Sequence, residues 1–203
     1  MVERLDGPRP VVFPLAAGAA AWSGLYGLLQ AGFSLSARAG SFLREFMSSV
    51  LLFPDEYIER AVSTVFLDGK PVDDIDAARV AEGSLVALSA AMPGLVGAVM
   101  RRNSPYASFR ESISHAAARE RDPGGRAGAG GSEACSVRVR LFNSVMRDRG
   151  PEILSRGAIV TAGDAERALG APFRAMLDAA GGRAFSDGEL VLLRIAVPEG
   201  DRR

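Results

Sequence analysis

The chain has 203 residues, 48% of them hydrophobic, enough to pack one large or two small domains. Its 24 basic and 24 acidic residues cancel, which removes the global electrostatic pull expected of a protein that binds nucleic acid or an anionic membrane. The single cysteine, Cys135, excludes an internal disulfide and, within one chain, a thiolate zinc site or a four-cysteine iron–sulfur cluster. Cytoplasmic residence and no cofactor are the expectation.

The first residues, MVERLD, lack the basic region and apolar core of a secretory signal. Residues 10–37 carry no charge, so membrane association is one reading of them. Pro14, the scattered glycines Gly18, Gly24, Gly27 and Gly32, the alanine run and Gln30 argue instead for a buried strand at Val11-Val12-Phe13. A small-residue helix or irregular packing segment over 19–29 and an alternating strand at Phe33-Ser34-Leu35-Ser36 then follow. Ser41 is placed to cap a helix whose apolar residues Phe42, Leu43, Phe46, Met47, Val50 and Leu51 recur at the spacing of one helical face.

The next stretch, 62–97, has the most explicit local grammar. Thr64-Val65-Phe66-Leu67 is a β-branched and apolar run that ends at Asp68-Gly69, a dipeptide suited to the positive φ of a tight turn. After the polar insert Asp73-Asp74-Ile75-Asp76, the dipeptide Glu82-Gly83 introduces a second short strand, Ser84-Leu85-Val86-Ala87-Leu88, closed by Pro93-Gly94. Residues 119–134, RERDPGGRAGAGGSEA, hold no large apolar side chain and read as a linker between a domain at 1–118 and a smaller α+β half at 135–203. Beyond it, Val137-Arg138-Val139-Arg140-Leu141-Phe142 alternates with period two, and Gly150-Pro151 is read as a turn before the strand Ala158-Ile159-Val160-Thr161. Asp164 is the expected cap of a helix through Leu169, Phe173 and Leu177 that Gly170 and Pro172 interrupt. Asp187-Gly188 then introduces the strand Glu189 to Ile195, closed by Pro198.

The halves echo one another. Residues 80–88 and 185–193 share an apolar residue, an acid-glycine turn and an apolar strand at the same offsets. The fold class expected is α+β: a mixed sheet with a helix packed on it, in one copy or two, the arrangement called β-grasp. These motifs resemble the ubiquitin-like sulfur-carrier proteins of molybdopterin and thiamine biosynthesis. Residues 64–72 resemble their middle strand and turn, 82–88 their last strand, and 137–142 an opening strand. The resemblance implies a terminal Gly-Gly tail that is activated and inserted into a partner enzyme. This chain ends Gly200-Asp201-Arg202-Arg203, so the sulfur chemistry is not carried over, and Gly124-Gly125 or Gly130-Gly131 would become termini only by proteolysis.

Catalytic residues and metal ligands are not assigned. His115 is the only histidine; a serine relay with Ser112 or Ser114 would need an acid supplied by the fold. Asp73, Asp74 and Asp76 lack the glycine and distal glutamate of a calcium loop and read as solvated turn residues. Asp55, Glu56, Glu59 and Arg60 read as surface charge pairs. The binding candidates are Met92, Pro93, Gly94, Leu95, Val96, Gly97, Arg101 and Arg102, an apolar, glycine-spaced segment ending in two arginines. Three readings fit it: core packing with a close backbone approach, a protein-docking surface where the resembling family places its tail, or an anion-binding nest. It has neither the lysine-serine ending of a phosphate loop nor a dinucleotide spacing. The leading expectation is therefore a noncatalytic accessory module that binds a protein partner, with self-association also open. The alternatives are a small enzyme using Arg101, Arg102, His115 and an acid on an anionic substrate, and membrane association through 10–37.

Overall fold

The computed structural model describes residues 8–14, 19–115, 133–179 and 186–196. In chain order the elements are β1 (Arg9–Pro14), α1 (Ala19–Ala31), β2 (Phe33–Arg38) and α2 (Leu43–Glu45), which runs into a π turn (Phe46–Val50). Then come α3 (Asp55–Arg60), β3 (Thr64–Leu67), β4 (Lys70–Pro71), β5 (Leu85–Ser89), α4 (Gly94–Met100) and a 3-10 segment (Ala107–Ile113). The remainder is β6 (Ala134–Phe142), α5 (Asn143–Arg156), β7 (Ala158–Thr161), α6 (Ala162–Leu169), α7 (Ala171–Ala179) and β8 (Leu190–Ala196).

The protein is α+β with mixed strand pairing, and it groups into two compact units: Ser34–Arg149, and Met1–Phe33 together with Gly150–Arg203. The division expected from composition, at 119–134, falls inside the first unit. Most of that linker, along with the Gly-Gly pairs, Phe185, Pro198 and the chain ends, lies outside the described residues; its last residue, Ala134, already begins β6.

In the unit Ser34–Arg149 the strand order is β2-β6-β5-β3-β4. β3 and β4 form the expected tight hairpin, with Asp68 at φ 52° and Gly69 at φ 80°, and β3 pairs antiparallel with β5. β5 runs parallel to β6, setting Leu85, Ala87 and Ser89 opposite Arg138, Arg140 and Phe142. Alternate residues make the core: Val65, Leu67, Val86, Leu88, Val137, Val139 and Leu141 are buried, as are Leu43, Phe46, Met47 and Ile58 from the helical stretch between β2 and β3. Each such side chain contributes about 1.5–3 kcal/mol by leaving water. Ser41 does not cap that stretch. Its hydroxyl donates to the Arg38 carbonyl at 2.8 Å, and Phe42 takes the cap position with no side-chain bond.

In the other unit β8 lies between β1, which it parallels, and β7, which it opposes. Phe13 of β1 meets Phe173 of α7 with ring centroids 6.0 Å apart. α1 crosses α6 so closely that a Cβ on Gly24 would sit 1.8 Å from the Ala168 carbonyl oxygen. Thr161, not Asp164, caps α6 by accepting from the Asp164 amide at 3.0 Å, and Gly170 at φ 67° ends it, so the expected interruption before α7 is present.

One expectation fails outright: Gly150-Pro151 is no turn, because α5 runs through both residues from Asn143 to Arg156. Gly150 is there for proximity, since a Cβ on it would stand 2.3 Å from Leu29 Cδ1. Among the described residues no helix is long and apolar enough to cross a membrane. α1, at 13 residues, spans only about 20 Å.

Candidate functional site

The expected binding segment forms one wall of a groove in the unit Ser34–Arg149. Met92 and Pro93 leave β5 in extended conformation, and Gly94, at φ 77°, starts α4 in a backbone state open to glycine. Gly97 presses the helix onto its own entry: a Cβ there would lie 2.1 Å from the Met92 carbonyl oxygen. The core-packing reading therefore describes Gly97, which is buried. It does not describe its neighbours, because Leu95 is 73% exposed and Val96 69% exposed.

The groove measures about 450 Å³ and is walled by Met92, Pro93, Val96 and Gly97 on one side and by Phe66, Ala87, Ser89 and Phe142 from the sheet, with Asn143 at its end. Its polarity is confined to one corner, where the Asn143 side-chain amide donates to the Ser89 hydroxyl at 2.8 Å. Asn143 holds φ 54°, a left-handed conformation that asparagine tolerates better than most residues, at the junction of β6 and α5. The lining residues include no titratable side chain, so the groove offers shape, apolar surface and a neutral hydrogen-bonding corner.

The two arginines of the segment part company. Arg101 is exposed and ends α4 in extended conformation, with its carbonyl accepting from Arg110 Nη2 at 3.1 Å. Arg102 turns the other way. Its side chain is 8% exposed, reaches Glu59 at 3.3 Å and the Val62 carbonyl at 3.4 Å, and its amide donates to the Ser63 carbonyl at 2.8 Å. Arg102 thus ties the segment to the α3–β3 connection.

The strongest polar feature was not legible in the sequence. Arg110, in the 3-10 segment, is 1% exposed, yet all five of its N–H donors are placed. Nη1 and Nη2 grip the Asp73 carboxylate at 3.0 and 2.6 Å, Nε reaches the Val99 carbonyl at 2.6 Å, and further bonds go to Ser114 Oγ at 2.7 Å and the Arg101 carbonyl. This is a bidentate ion pair fused to the end of α4. It absorbs Ser114, whose hydroxyl also donates to the Arg110 carbonyl at 3.0 Å, so Ser114 is not arranged as a nucleophile for His115. His115 donates its amide to the Pro71 carbonyl at 2.8 Å, and its buried Nδ1 has no hydrogen-bond partner among the described residues; the side chain of Ser112 is outside them.

The acidic turn is likewise taken up internally. Asp73 holds Arg110 and also accepts the Asn103 amide at 3.1 Å; Asp74 accepts the amides of Asp76 and Ala77. Asp76 pairs with Arg44, which reaches Glu59 as well at 2.6 Å. The Arg44 hydrogen bonds hold the Glu59 and Asp76 carboxyls below their usual range. Of the expected surface pairs, Glu56–Arg60 forms at 2.7 Å. Among the described residues no cluster of histidine, cysteine and acid side chains has the makings of a metal site. Burial, with a smaller contribution from Glu82, pushes the Cys135 thiol up, away from the reactive thiolate. Tyr57 is likewise raised by burial and by its hydrogen bond to Asp148.

Of the groove residues, sequence reasoning supplied Met92, Pro93, Val96 and Gly97 and missed Phe66, Ala87, Ser89, Phe142 and Asn143. The available signal was the period-two alternation, which sends Phe66 and Ala87 to the face opposite buried Val65 and Leu88. No family model matches the chain, and neither a curated protein nor a solved structure matches it.

Proposed function

We propose that this protein is a noncatalytic binding module that receives an apolar segment of a partner protein in the groove between α4 and the open face of β3, β5 and β6. One observation carries the reading. Of the exposed large apolar side chains among the described residues, Leu95, Val96, Tyr106, Phe109 and Ile113 all fall within 95–113, beside or on the α4 wall, against only Val12, Leu52 and Leu190 elsewhere. Concentrated apolar exposure of this kind marks interaction surfaces. Balanced charge and the single cysteine support a cytoplasmic protein that binds protein rather than nucleic acid.

The β-grasp relationship belongs to the same proposal. The three segments that carry the resemblance are β3, β5 and β6, adjacent in one unit, with the helical stretch α2–α3 between β2 and β3. On this reading the strand that resembles the opening one, β6, comes last of the three in chain order. The docking site then lies directly after the strand that resembles the family's last.

The test replaces Leu95 and Val96 by aspartate and measures binding of an apolar peptide beside thermal unfolding. Lost binding with an unchanged melting temperature is the expected result. Unchanged binding, or a large drop in melting temperature, would contradict the docking role.

A further inference from the structure

We infer that the groove binds a small neutral molecule with an apolar body and one carbonyl group, which excludes the partner segment while it is bound; the exclusion, though not the ligand site, rests on the docking reading above. Thr64 carries the inference. It is fully buried, and its hydroxyl has no hydrogen-bond partner among the described residues. A buried hydroxyl without a partner costs stability, so one kept in that state calls for a role beyond packing.

Strand register puts that hydroxyl beside the groove. Thr64 stands opposite Ser89 and Phe66 opposite Ala87, while Ser89 in turn stands opposite Phe142. Residues opposite one another, and alternate residues of one strand, share a face of the sheet. Phe66, Ala87, Ser89 and Phe142 all line the groove, so Thr64 projects from the groove's own face, with Phe66 next along its strand and Ser89 across from it. The other face is taken by buried Val65, Leu88 and Leu141. The chain beside Thr64 is tied to the end of α4, because the Ser63 carbonyl accepts the Arg102 amide at 2.8 Å.

The two hydroxyls together are complementary to an acceptor. Ser89, only 5% exposed, accepts from the Asn143 amide at 2.8 Å and so keeps its own hydroxyl hydrogen to give; Thr64 has the same to give. Directly opposed residues of an antiparallel pair hold their Cβ atoms about 5 Å apart, close enough for both hydroxyls to reach one oxygen. A carbonyl oxygen has two lone pairs for them. A carboxylate would have to shed its water without gaining a counter-charge, since the lining residues include no titratable side chain. The walls Met92, Pro93, Val96 and Phe142 supply apolar surface, and about 450 Å³ lies within the range of small-molecule sites.

Three probes test this on the full chain, followed by the methyl resonance of Met92 in the groove wall: acetophenone, its isostere α-methylstyrene, in which a methylene replaces the carbonyl oxygen, and benzoate. Acetophenone is expected to bind about fivefold more tightly than α-methylstyrene, and benzoate to bind worst. Thr64→Val keeps the shape of the side chain and should erase the acetophenone preference with the melting temperature unchanged or higher. Ser89→Ala, on the opposite strand, should erase it too. Equal binding of acetophenone and α-methylstyrene, a preference that survives both substitutions, or a Met92 resonance that moves with no probe would overturn the ligand site. A large drop in melting temperature in Thr64→Val would overturn it as well, by showing that the hydroxyl is structural. An apolar peptide should raise the acetophenone concentration needed for half-saturation. If that concentration stays fixed while the preference persists, the ligand site stands and both the exclusion and the docking reading fall.

Discussion

The two ends of the segment 92–115 are built on opposite principles. At the Arg110 end a charge is removed from water and every donor is matched, so the segment is held by a short list of directional bonds to Asp73, Val99, Arg101 and Ser114. At the α4 end Leu95 and Val96 stand in solvent beside an apolar groove, and Gly97 packs its backbone against Met92. Burying the guanidinium fixes position at considerable desolvation cost. An exposed apolar wall contributes little to folding and is free to contribute to association. On the docking proposal, the bonds from Arg110 to the carbonyls of Val99 and Arg101 hold the end of α4 in place, which lowers the ordering cost of receiving a partner.

Breaking the pinned end should have the largest effect. Arg110→Ala leaves the partly exposed Asp73 carboxylate without its ion-pair partner and orphans the Val99 and Arg101 carbonyls, and is expected to cost about 3 kcal/mol in denaturant unfolding; Arg110→Lys, which cannot reproduce the fork, should recover only part of that loss. Gly97→Ala brings a methyl group into the Met92 carbonyl and should cost about 1–3 kcal/mol, with the groove narrowed as α4 is forced outward.

A smaller effect separates the segment's anchors by pH. Glu59 and Asp76, ordinarily near 4.5 and 3.8, have folded values lowered by Arg44. Their contribution is therefore present above those ordinary values and is lost as pH falls through the folded values. Arg44→Gln should flatten the acid limb of the stability profile below about pH 4.5 and leave neutral stability within about 1 kcal/mol. The smallest effect belongs to the open end: Val96→Asp should change stability by no more than about 0.5 kcal/mol, as expected for a side chain outside the core.

Short-range features were legible because their causes are local. The turn at Asp68-Gly69, the strands 64–67 and 190–196 and the break at Gly170 follow from backbone preferences that a few adjacent residues express. Gly150-Pro151 misleads for the converse reason. Its glycine answers to Leu29, more than a hundred positions away, and the helix tolerates the proline that follows. Arg110 shows the same limit at the site. In the string SFRES it reads as an ordinary surface charge, and only the placement of Asp73, from a turn that itself reads as solvated, reveals a buried guanidinium with an ion-pair partner. The segment 92–97 could be singled out by its composition, but the sheet residues Phe66, Ala87 and Phe142 join it only through strand pairing.

The methionines offer the most direct test of the contrast between the two ends. Met92 lines the groove, Met100 closes α4 next to the Arg110 latch, and Met47 is fully buried in the core. Methyl-labelled methionine spectra recorded during titration with an apolar peptide should show the Met92 resonance moving while Met47 stays fixed. A stationary Met92, or a shift spread evenly over the core methyls, would contradict a preformed docking groove at the open end.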